Sequence, residues 1–63
     1  MINYKPGDVI ISENDGLEYE VVKFGPRDEI EPLKGVKLLG NALIVKASNG
    51  DKHLLYEWEV HLK

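Results

Sequence analysis

Apolar and polar residues alternate with a period of two along most of this chain, and the alternation limits the possible folds more than any other feature. Between Leu54 and Lys63, for example, an apolar side chain stands at every second position. No stretch of about 11 residues or more has the three- and four-residue apolar spacing of an amphipathic helix. The pattern therefore predicts an all-β fold of short antiparallel strands.

The chain is short and contains no cysteine. Its 63 residues predict a single domain, residues 1–63, with little core in which to hide a substrate cavity. Without cysteine there are no disulfides, thiolate ligands or thiol nucleophiles, which favours a reducing cytoplasm. The start of the chain lacks a secretory h-region, and the longest apolar run, Ala42–Val45, is too short to cross a bilayer. We therefore expect no membrane partner.

The first half of the chain predicts a hairpin of two strands, Asp8–Glu13 and Leu17–Phe24. A three-residue loop, with Gly16 in the left-handed position of a bulged turn, gives the pairs Glu13–Leu17, Ile11–Tyr19 and Val9–Val21. The other face then carries the apolar residues Ile10, Val22 and Phe24, which predicts that this end of the hairpin is covered on both sides. Gly25–Leu33 contains two prolines and four charges and is predicted to be a surface loop.

The second half contains the strongest hairpin signal, the Asn49-Gly50 pair, which is typical of a type I′ turn. Pairing outward from this turn, and from a weaker II′ signal at Gly40-Asn41, places six residues on one face: Val36, Leu38, Leu43, Val45, Leu54 and Tyr56. That agreement favours an antiparallel meander. The alternative leaves Gly35–Gly40 as a loop.

The C-terminal alternation predicts either one long strand or a break at Glu57-Trp58-Glu59. We favour the break, because 11 residues is long for a strand in so small a protein. It would consist of a single 3₁₀ turn followed by a short strand, Val60–Leu62. This last strand should return to the first hairpin, because an open sheet would otherwise leave its edges unprotected.

The order of these elements over residues 7–62 resembles the layout of the SH3-like small β-barrel, a superfold that includes the KOW and Tudor modules. It is also similar to that of small barrel proteins that are often phage-encoded. The resemblance implies a five-stranded antiparallel barrel that binds other molecules. The proline-binding motif of SH3 domains and the basic KOW strand with its glycine are absent from the sequence.

Candidate catalytic and metal-binding residues form no recognisable motif. His53, Glu57, Glu59 and His61 share parity, but a nearly linear strand face does not converge four ligands on one ion, and the predicted turn would break the alignment. Ser12, Ser48 and the acidic residues form no nucleophile elbow. We predict no enzyme activity, no metal and no cofactor.

Charge and aromatic residues indicate a binding protein. Residues 8–31 carry eight acidic side chains against Lys23 and Arg27, a net charge of −6, although the whole chain is only −3. We expect most aromatic residues, Trp58 included, to fill the core. The resemblance implies instead that Tyr4, Phe24 or Trp58 reaches the surface between the first hairpin and the turn before the last strand, beside carboxylates that suit a basic partner.

The main hypothesis is a module that binds a protein partner. It assigns binding to Glu18, Glu20, Phe24, Arg27, Glu29, Glu31 and Trp58. A second hypothesis is nucleic-acid binding through the exposed lysines Lys34, Lys37, Lys46 and Lys52. A third is an acidic inhibitor of a DNA-binding protein. The chain is expected to be a monomer or a weak homodimer that pairs through a strand edge.

Overall fold

The computed structural model describes residues 3–63, and an antiparallel sheet dominates it. The five strands are β1 (Val9–Ser12), β2 (Glu18–Pro26), β3 (Asn41–Lys46), β4 (Lys52–Tyr56) and β5 (Val60–Leu62). One turn of helix, α1 (Arg27–Ile30), follows β2, and a 3₁₀ turn (Glu57–Glu59) separates β4 from β5. The predicted all-β fold, the 3₁₀ turn and the final strand Val60–Leu62 are confirmed.

The strands follow the order β4-β3-β2-β1-β5 across the sheet. The last strand therefore pairs with the first, as predicted, with Ser12 opposite Val60 and Ile10 opposite Leu62. Over residues 3–63, β4 and β5 each have a single neighbouring strand, so the sheet is open rather than closed into a barrel.

The first hairpin differs from its predicted register by one residue. Ile10 lies opposite Tyr19 and Ile11 opposite Glu18, so the loop has four residues, Glu13–Gly16, instead of three. Ser12 closes the loop: its carbonyl accepts a hydrogen bond from the Gly16 amide (2.8 Å), and its amide donates to the Leu17 carbonyl (3.0 Å). Because one residue of shift exchanges the two faces of a strand, Ile10 is fully buried, whereas Val9 and Ile11 are not.

A β-bulge at Val22 corrects a second prediction. The register changes between Val21, which lies opposite Val45, and Lys23, which lies opposite Ile44. The extra residue reverses the alternation, so Phe24 lies on the same face as Val21. The Phe24 ring meets the Tyr4 ring edge-on at 5.3 Å, and Val22 is exposed.

The second hairpin is also shifted by one residue. Val45 lies opposite His53 and Leu43 opposite Leu55, so Leu55 packs against the core, and the predicted inward residues Leu54 and Tyr56 lie on the other face. Within residues 3–63 only glycines have positive φ, and Gly50 is among them (φ 92°). The turn is therefore a type I turn followed by a bulge glycine, which spaces the strands by one residue more than the type I′ turn we predicted.

The segment between α1 and β3 is a loop, residues 31–40, rather than the favoured strand. Its only ladder contact within the described residues is an isolated bridge between Leu33 and Val36. Val36 is exposed and Leu38 only half-buried. The predicted surface loop Gly25–Leu33 is partly wrong as well, because β2 extends to Pro26 and α1 follows it.

One core cluster lies against the inner face of the sheet. Its buried members come from the N-terminal segment and from four of the strands: Tyr4, Ile10, Tyr19, Val21, Leu43, Val45 and Val60. Phe24, Ala47 and Leu55 pack around them. Ala42 is fully buried on the opposite face, where α1 contacts β2 and β3.

Candidate binding site around Trp58

Trp58 lies at the surface, contrary to the prediction that it fills the core. It has 61% of its surface exposed, whereas Val60, two residues later, is buried. The 3₁₀ turn explains the difference, because it interrupts the strand geometry that would have kept Trp58 on the face of its alternate neighbours. A large aromatic side chain exposed to this degree marks a candidate binding surface.

Trp58 is held in place by stacking. Its ring lies against the Tyr56 ring at a centroid distance of 4.9 Å, with 16° between the ring planes. The guanidinium carbon of Arg27 lies 4.4 Å from the Tyr56 centroid and 5.2 Å from the Trp58 centroid. These distances are within the range of cation–π attraction. We call Arg27, Tyr56 and Trp58 the aromatic platform.

Hydrogen bonds connect the platform to the rest of the fold. Arg27 Nη1 donates to the Leu39 carbonyl (2.9 Å), and the Tyr56 hydroxyl donates to Glu31 Oε2 (2.9 Å). At the 3₁₀ turn, the Tyr56 amide donates to Glu59 Oε2 (2.8 Å). The platform is therefore preorganised by contacts from α1, the 31–40 loop and the 3₁₀ turn, which lowers the entropic cost of binding a ligand.

A surface groove of about 410 Å³ runs beside Trp58. It is lined by Tyr4, Gly40, Asn41, Glu57, Trp58 and Val60. Gly40 has a positive φ of 87°, and a Cβ there would lie 3.8 Å from both Arg27 Cδ and Trp58 Cζ3. A glycine at this rim adopts the required backbone conformation without strain. Asn41 Nδ2 donates to Glu57 Oε2 (2.7 Å) and fixes that carboxylate in the wall.

Carboxylates lie near Tyr4 at one side of the groove. The Tyr4 side chain is buried, and this burial raises the pKa of its hydroxyl above the usual value. The nearby carboxylates of Glu57 and Glu13 raise the same pKa further, because they disfavour a second negative charge. A ligand that enters the groove therefore meets a mostly apolar lining with one carboxylate, Glu57, in its wall.

The predicted protein-binding residues divide into two separate surfaces. Glu18 and Glu20 line a second groove of about 300 Å³, together with Val9, Tyr19, Lys46, Ala47 and Ser48. It shares no residue with the groove at Trp58. The carboxylate of Glu18 also forms an ion pair with Lys63 (3.0 Å). Glu18 and Glu20 therefore do not share one site with Trp58.

The other predicted residues have different roles. Arg27 belongs to the aromatic platform. Glu31 accepts a hydrogen bond from the Tyr56 hydroxyl of the same platform. Glu29 is exposed on α1. Phe24 is half-buried and packs against the core cluster.

The four lysines of the nucleic-acid hypothesis lie on different elements. Lys46 lies directly opposite Lys52 in the β3–β4 ladder, and its other neighbour across the sheet is Glu20. Lys34 and Lys37 are exposed in the 31–40 loop, rather than on a strand beside Lys46. Lys37 therefore does not lie on a strand next to Lys46, as the meander predicted from the sequence would require.

The histidines and acidic residues considered as metal ligands are dispersed. His53 meets the Tyr19 ring edge-on at 5.6 Å, and His61 Nδ1 lies 3.7 Å from Glu13 Oε2 at the other edge of the sheet. Among residues 3–63, no three histidine or carboxylate side chains converge in a way that could hold a metal ion. Ser12 is buried, and its hydroxyl accepts a hydrogen bond from the Asn14 amide (3.2 Å).

Five residues of the site were not identified from the sequence: Gly40, Asn41, Tyr56, Glu57 and Val60. One local signal was available, because Trp58 lies between two glutamates in Glu57-Trp58-Glu59. Acidic residues are rarely buried, so a tryptophan between two of them in a predicted turn favours exposure. The contribution of Gly40 had no comparable signal, because it depends on the path of the 31–40 loop.

Comparison with known proteins identifies no relative: no family model matches the chain, and neither the curated proteins nor the solved structures include a significant match. In the part of the chain that the structure describes, no helix has the length and apolar character needed to cross a membrane.

Proposed function

We propose that this protein is a non-catalytic binding module that takes up a basic segment of a protein partner in the groove beside Trp58. The observation that carries the proposal is the exposed Trp58 ring, fixed by Tyr56 and Arg27 beside an apolar groove. Tryptophan and tyrosine are enriched among the residues that dominate binding energy at protein interfaces.

The carboxylates in and beside the groove favour a basic ligand. Glu57 forms part of its wall, and Glu29 and Glu31 lie on the neighbouring α1 and its C-terminal flank. A lysine or arginine of the partner would contact Trp58 with its aliphatic stem and place its charge near these carboxylates. The contribution of Glu18 and Glu20 would be long-range attraction rather than contact.

Selection of peptides from a random phage-displayed library, with the full chain as bait, tests this proposal. We expect the selected peptides to be rich in lysine and arginine, to lose about tenfold or more in affinity on Trp58→Ala, and to weaken on Glu57→Gln and in high salt. Leu17→Ala and Asp51→Asn are matched controls, because both residues are exposed, lie outside the groove and have no role in the proposed binding. Peptides that bind Trp58→Ala as tightly as the parent protein would overturn the proposal.

The two other hypotheses give different results. Retardation of DNA or RNA in a gel shift, lost on Lys46→Glu and Lys52→Glu, would favour nucleic-acid binding. Selective capture of a DNA-binding protein, lost on reversal of Glu18 and Glu20, would favour the acidic inhibitor. Neither result is expected from the groove at Trp58.

We further propose that the open sheet is a variant of the SH3-like small barrel. The pairing of β5 with β1 and the 3₁₀ turn before β5 support this assignment. An experimental structure would test it: a sheet of this strand order that curls until β4 and β5 approach each other would support the assignment, and a flat sheet with these two edges far apart would contradict it.

A further inference from the structure

The 31–40 loop projects a tight turn into solvent. The Val36 amide donates to the Leu33 carbonyl (3.1 Å), and Gly35, at the third position of this turn, has a φ of 79°. A hydrogen bond between the first and fourth residues, with a left-handed glycine third, is typical of a type II turn. Lys34 therefore occupies a corner of the turn, and Leu33 and Val36 flank it.

The base of the loop is attached firmly to α1. The Arg27 amide donates to the Gly40 carbonyl (3.0 Å), and Arg27 Nη1 binds the Leu39 carbonyl. The Asp28 carboxylate accepts a hydrogen bond from the Leu38 amide. Leu38 is half-buried and acts as the inward anchor. The exposed residues of the loop therefore lie on a segment whose base is fixed to α1 by hydrogen bonds.

The chemistry of the exposed residues is both aliphatic and basic. Leu33, Val36 and Leu39 have 50%, 54% and 73% of their surface exposed. Lys34 and Lys37, interleaved with them, are exposed as well. Residues 32–40 contain no acidic side chain, in contrast with the preceding part of the chain. We call Leu33, Lys34, Val36, Lys37 and Leu39 the loop tip.

We propose that the loop tip binds the surface of an anionic lipid bilayer. Its aliphatic side chains would enter the boundary between headgroups and acyl chains, and its two lysines would contact anionic headgroups. The mixture of exposed aliphatic and basic residues without carboxylates fits this partner by charge complementarity. Such binding is peripheral and needs no membrane-spanning segment, and it departs from our expectation from the sequence that the protein has no membrane partner.

The form of the loop tip favours a bilayer over a protein. It is a projecting turn, and none of its residues lines either of the two grooves described above. Leucine and valine are under-represented among the residues that dominate protein–protein binding, whereas tryptophan, tyrosine and arginine are enriched. A fluid bilayer can adapt to a convex aliphatic tip without a complementary pocket.

We expect the binding to be weak and reversible. Even one myristoyl chain gives only marginal membrane affinity, and the loop tip exposes only three aliphatic side chains. The net charge of −3 opposes adsorption of the molecule as a whole. The protein should therefore approach the bilayer in one orientation, with the loop tip leading, and bind best at low ionic strength.

Sedimentation of the full chain with lipid vesicles tests the proposal. Vesicles of equal parts phosphatidylcholine and phosphatidylglycerol should bind the protein, and phosphatidylcholine vesicles should bind it much less. The double variants Lys34→Glu/Lys37→Glu and Val36→Ser/Leu39→Ser should each lower the partition coefficient about tenfold or more. Circular dichroism would establish that each variant is folded.

Matched controls separate the loop tip from general surface effects. Leu17→Ser changes an equally exposed leucine of the first hairpin, and Lys5→Glu/Lys23→Glu reverses two exposed lysines elsewhere. Loop-tip variants that behave like these controls, equal binding to neutral vesicles, or no binding to either kind would overturn the proposal. So would tight binding to polyglutamate without binding to vesicles, which would indicate an acidic protein partner. The function proposed for the groove does not depend on these results.

Discussion

At the scale of single residues, Asp15 and Tyr19 form the best-defined polar contact of the first hairpin. The Tyr19 hydroxyl donates to Asp15 Oδ2 (2.6 Å), and the Leu17 amide donates to Asp15 Oδ1 (2.9 Å). Both hydrogen bonds lower the pKa of the Asp15 carboxyl, and the bond from Tyr19 has the larger effect. The same contact, followed by burial, raises the pKa of the Tyr19 hydroxyl.

These opposite shifts predict how stability depends on pH. Because the pKa of Asp15 is lower in the folded state, its contribution is present above the ordinary value of 3.8 and disappears as the pH falls through the folded pKa. Because the pKa of Tyr19 is higher in the folded state, its contribution is complete below 10.0 and disappears as the pH rises through the folded pKa. Tyr19→Phe should therefore reduce both the loss of stability at acidic pH and the loss of stability at alkaline pH.

Urea denaturation midpoints measured as a function of pH would check this prediction. Tyr4→Phe is the matched control: it should alter the alkaline side only, because the pKa of Tyr4 is raised but its hydroxyl forms no hydrogen bond with Asp15. If the denaturation midpoints of Tyr19→Phe fell at acidic pH in the same way as those of the parent protein, the Tyr19–Asp15 hydrogen bond would not persist in solution.

At the scale of elements, the register of the hairpins determines which side chains enter the core. In β1, Ile10 is fully buried and lies opposite Tyr19, whereas Ile11 lies on the other face opposite Glu18. The extra residue in the Glu13–Gly16 loop produces this arrangement. It is accompanied by hydrogen bonds from the Leu17 amide and the Tyr19 hydroxyl to the Asp15 side chain.

Two substitutions of adjacent residues test this register. Ile10→Val should lower the free energy of unfolding by about 0.5–1.5 kcal/mol, because it removes a methyl group from a packed core. Ile11→Val should cost clearly less, since Ile11 is only partly buried. The three-residue loop that we predicted from the sequence places Ile11 in the core and covers Ile10 as well, so it predicts comparable losses for the two variants. Urea denaturation of the two variants distinguishes the two registers.

At the scale of the whole molecule, Arg27 connects parts of the chain that are distant in sequence. Its guanidinium lies over Tyr56 and near Trp58, and its Nη1 holds the 31–40 loop at the Leu39 carbonyl. Its Nε, by contrast, is buried and has no hydrogen-bond partner among the described residues, which offsets part of the gain. One side chain thus couples the groove at Trp58 to the base of the loop tip.

Arg27→Lys should therefore disturb both sites, although the charge is retained. Lysine lacks the planar guanidinium, which can stack on an aromatic ring and at the same time donate hydrogen bonds in its own plane. We expect a loss of about 1 kcal/mol in the free energy of unfolding and a change in the near-ultraviolet circular dichroism of Trp58. Lys23→Arg, at an exposed position of β2, should change neither quantity. An Arg27→Lys spectrum like that of the parent protein would contradict this role.

The sequence alone determined the features that depend on local chemistry. The locations of the five observed strands follow from alternation, although alternation also predicted a strand in residues 36–40, which form a loop. The hairpin loops follow from Gly16 and Gly50, and the 3₁₀ turn follows from the length of the C-terminal alternating segment. The return of β5 to β1 followed from the need to pair strand edges. Each of these inferences uses residues close together in the chain or a requirement common to all sheets.

Tertiary structure decided the registers, the face of Phe24 and the composition of the candidate site. A single added residue, in the Glu13–Gly16 loop or at the Val22 bulge, exchanges two faces of a strand, and an alternating pattern with apolar residues on both faces fits either choice. The site at Trp58 depends on Arg27 and Gly40, which reach it only when α1 and the 31–40 loop pack beside the 3₁₀ turn. Such contacts depend on how segments that are far apart in the sequence pack together, so the spacing of residues along the chain does not predict them.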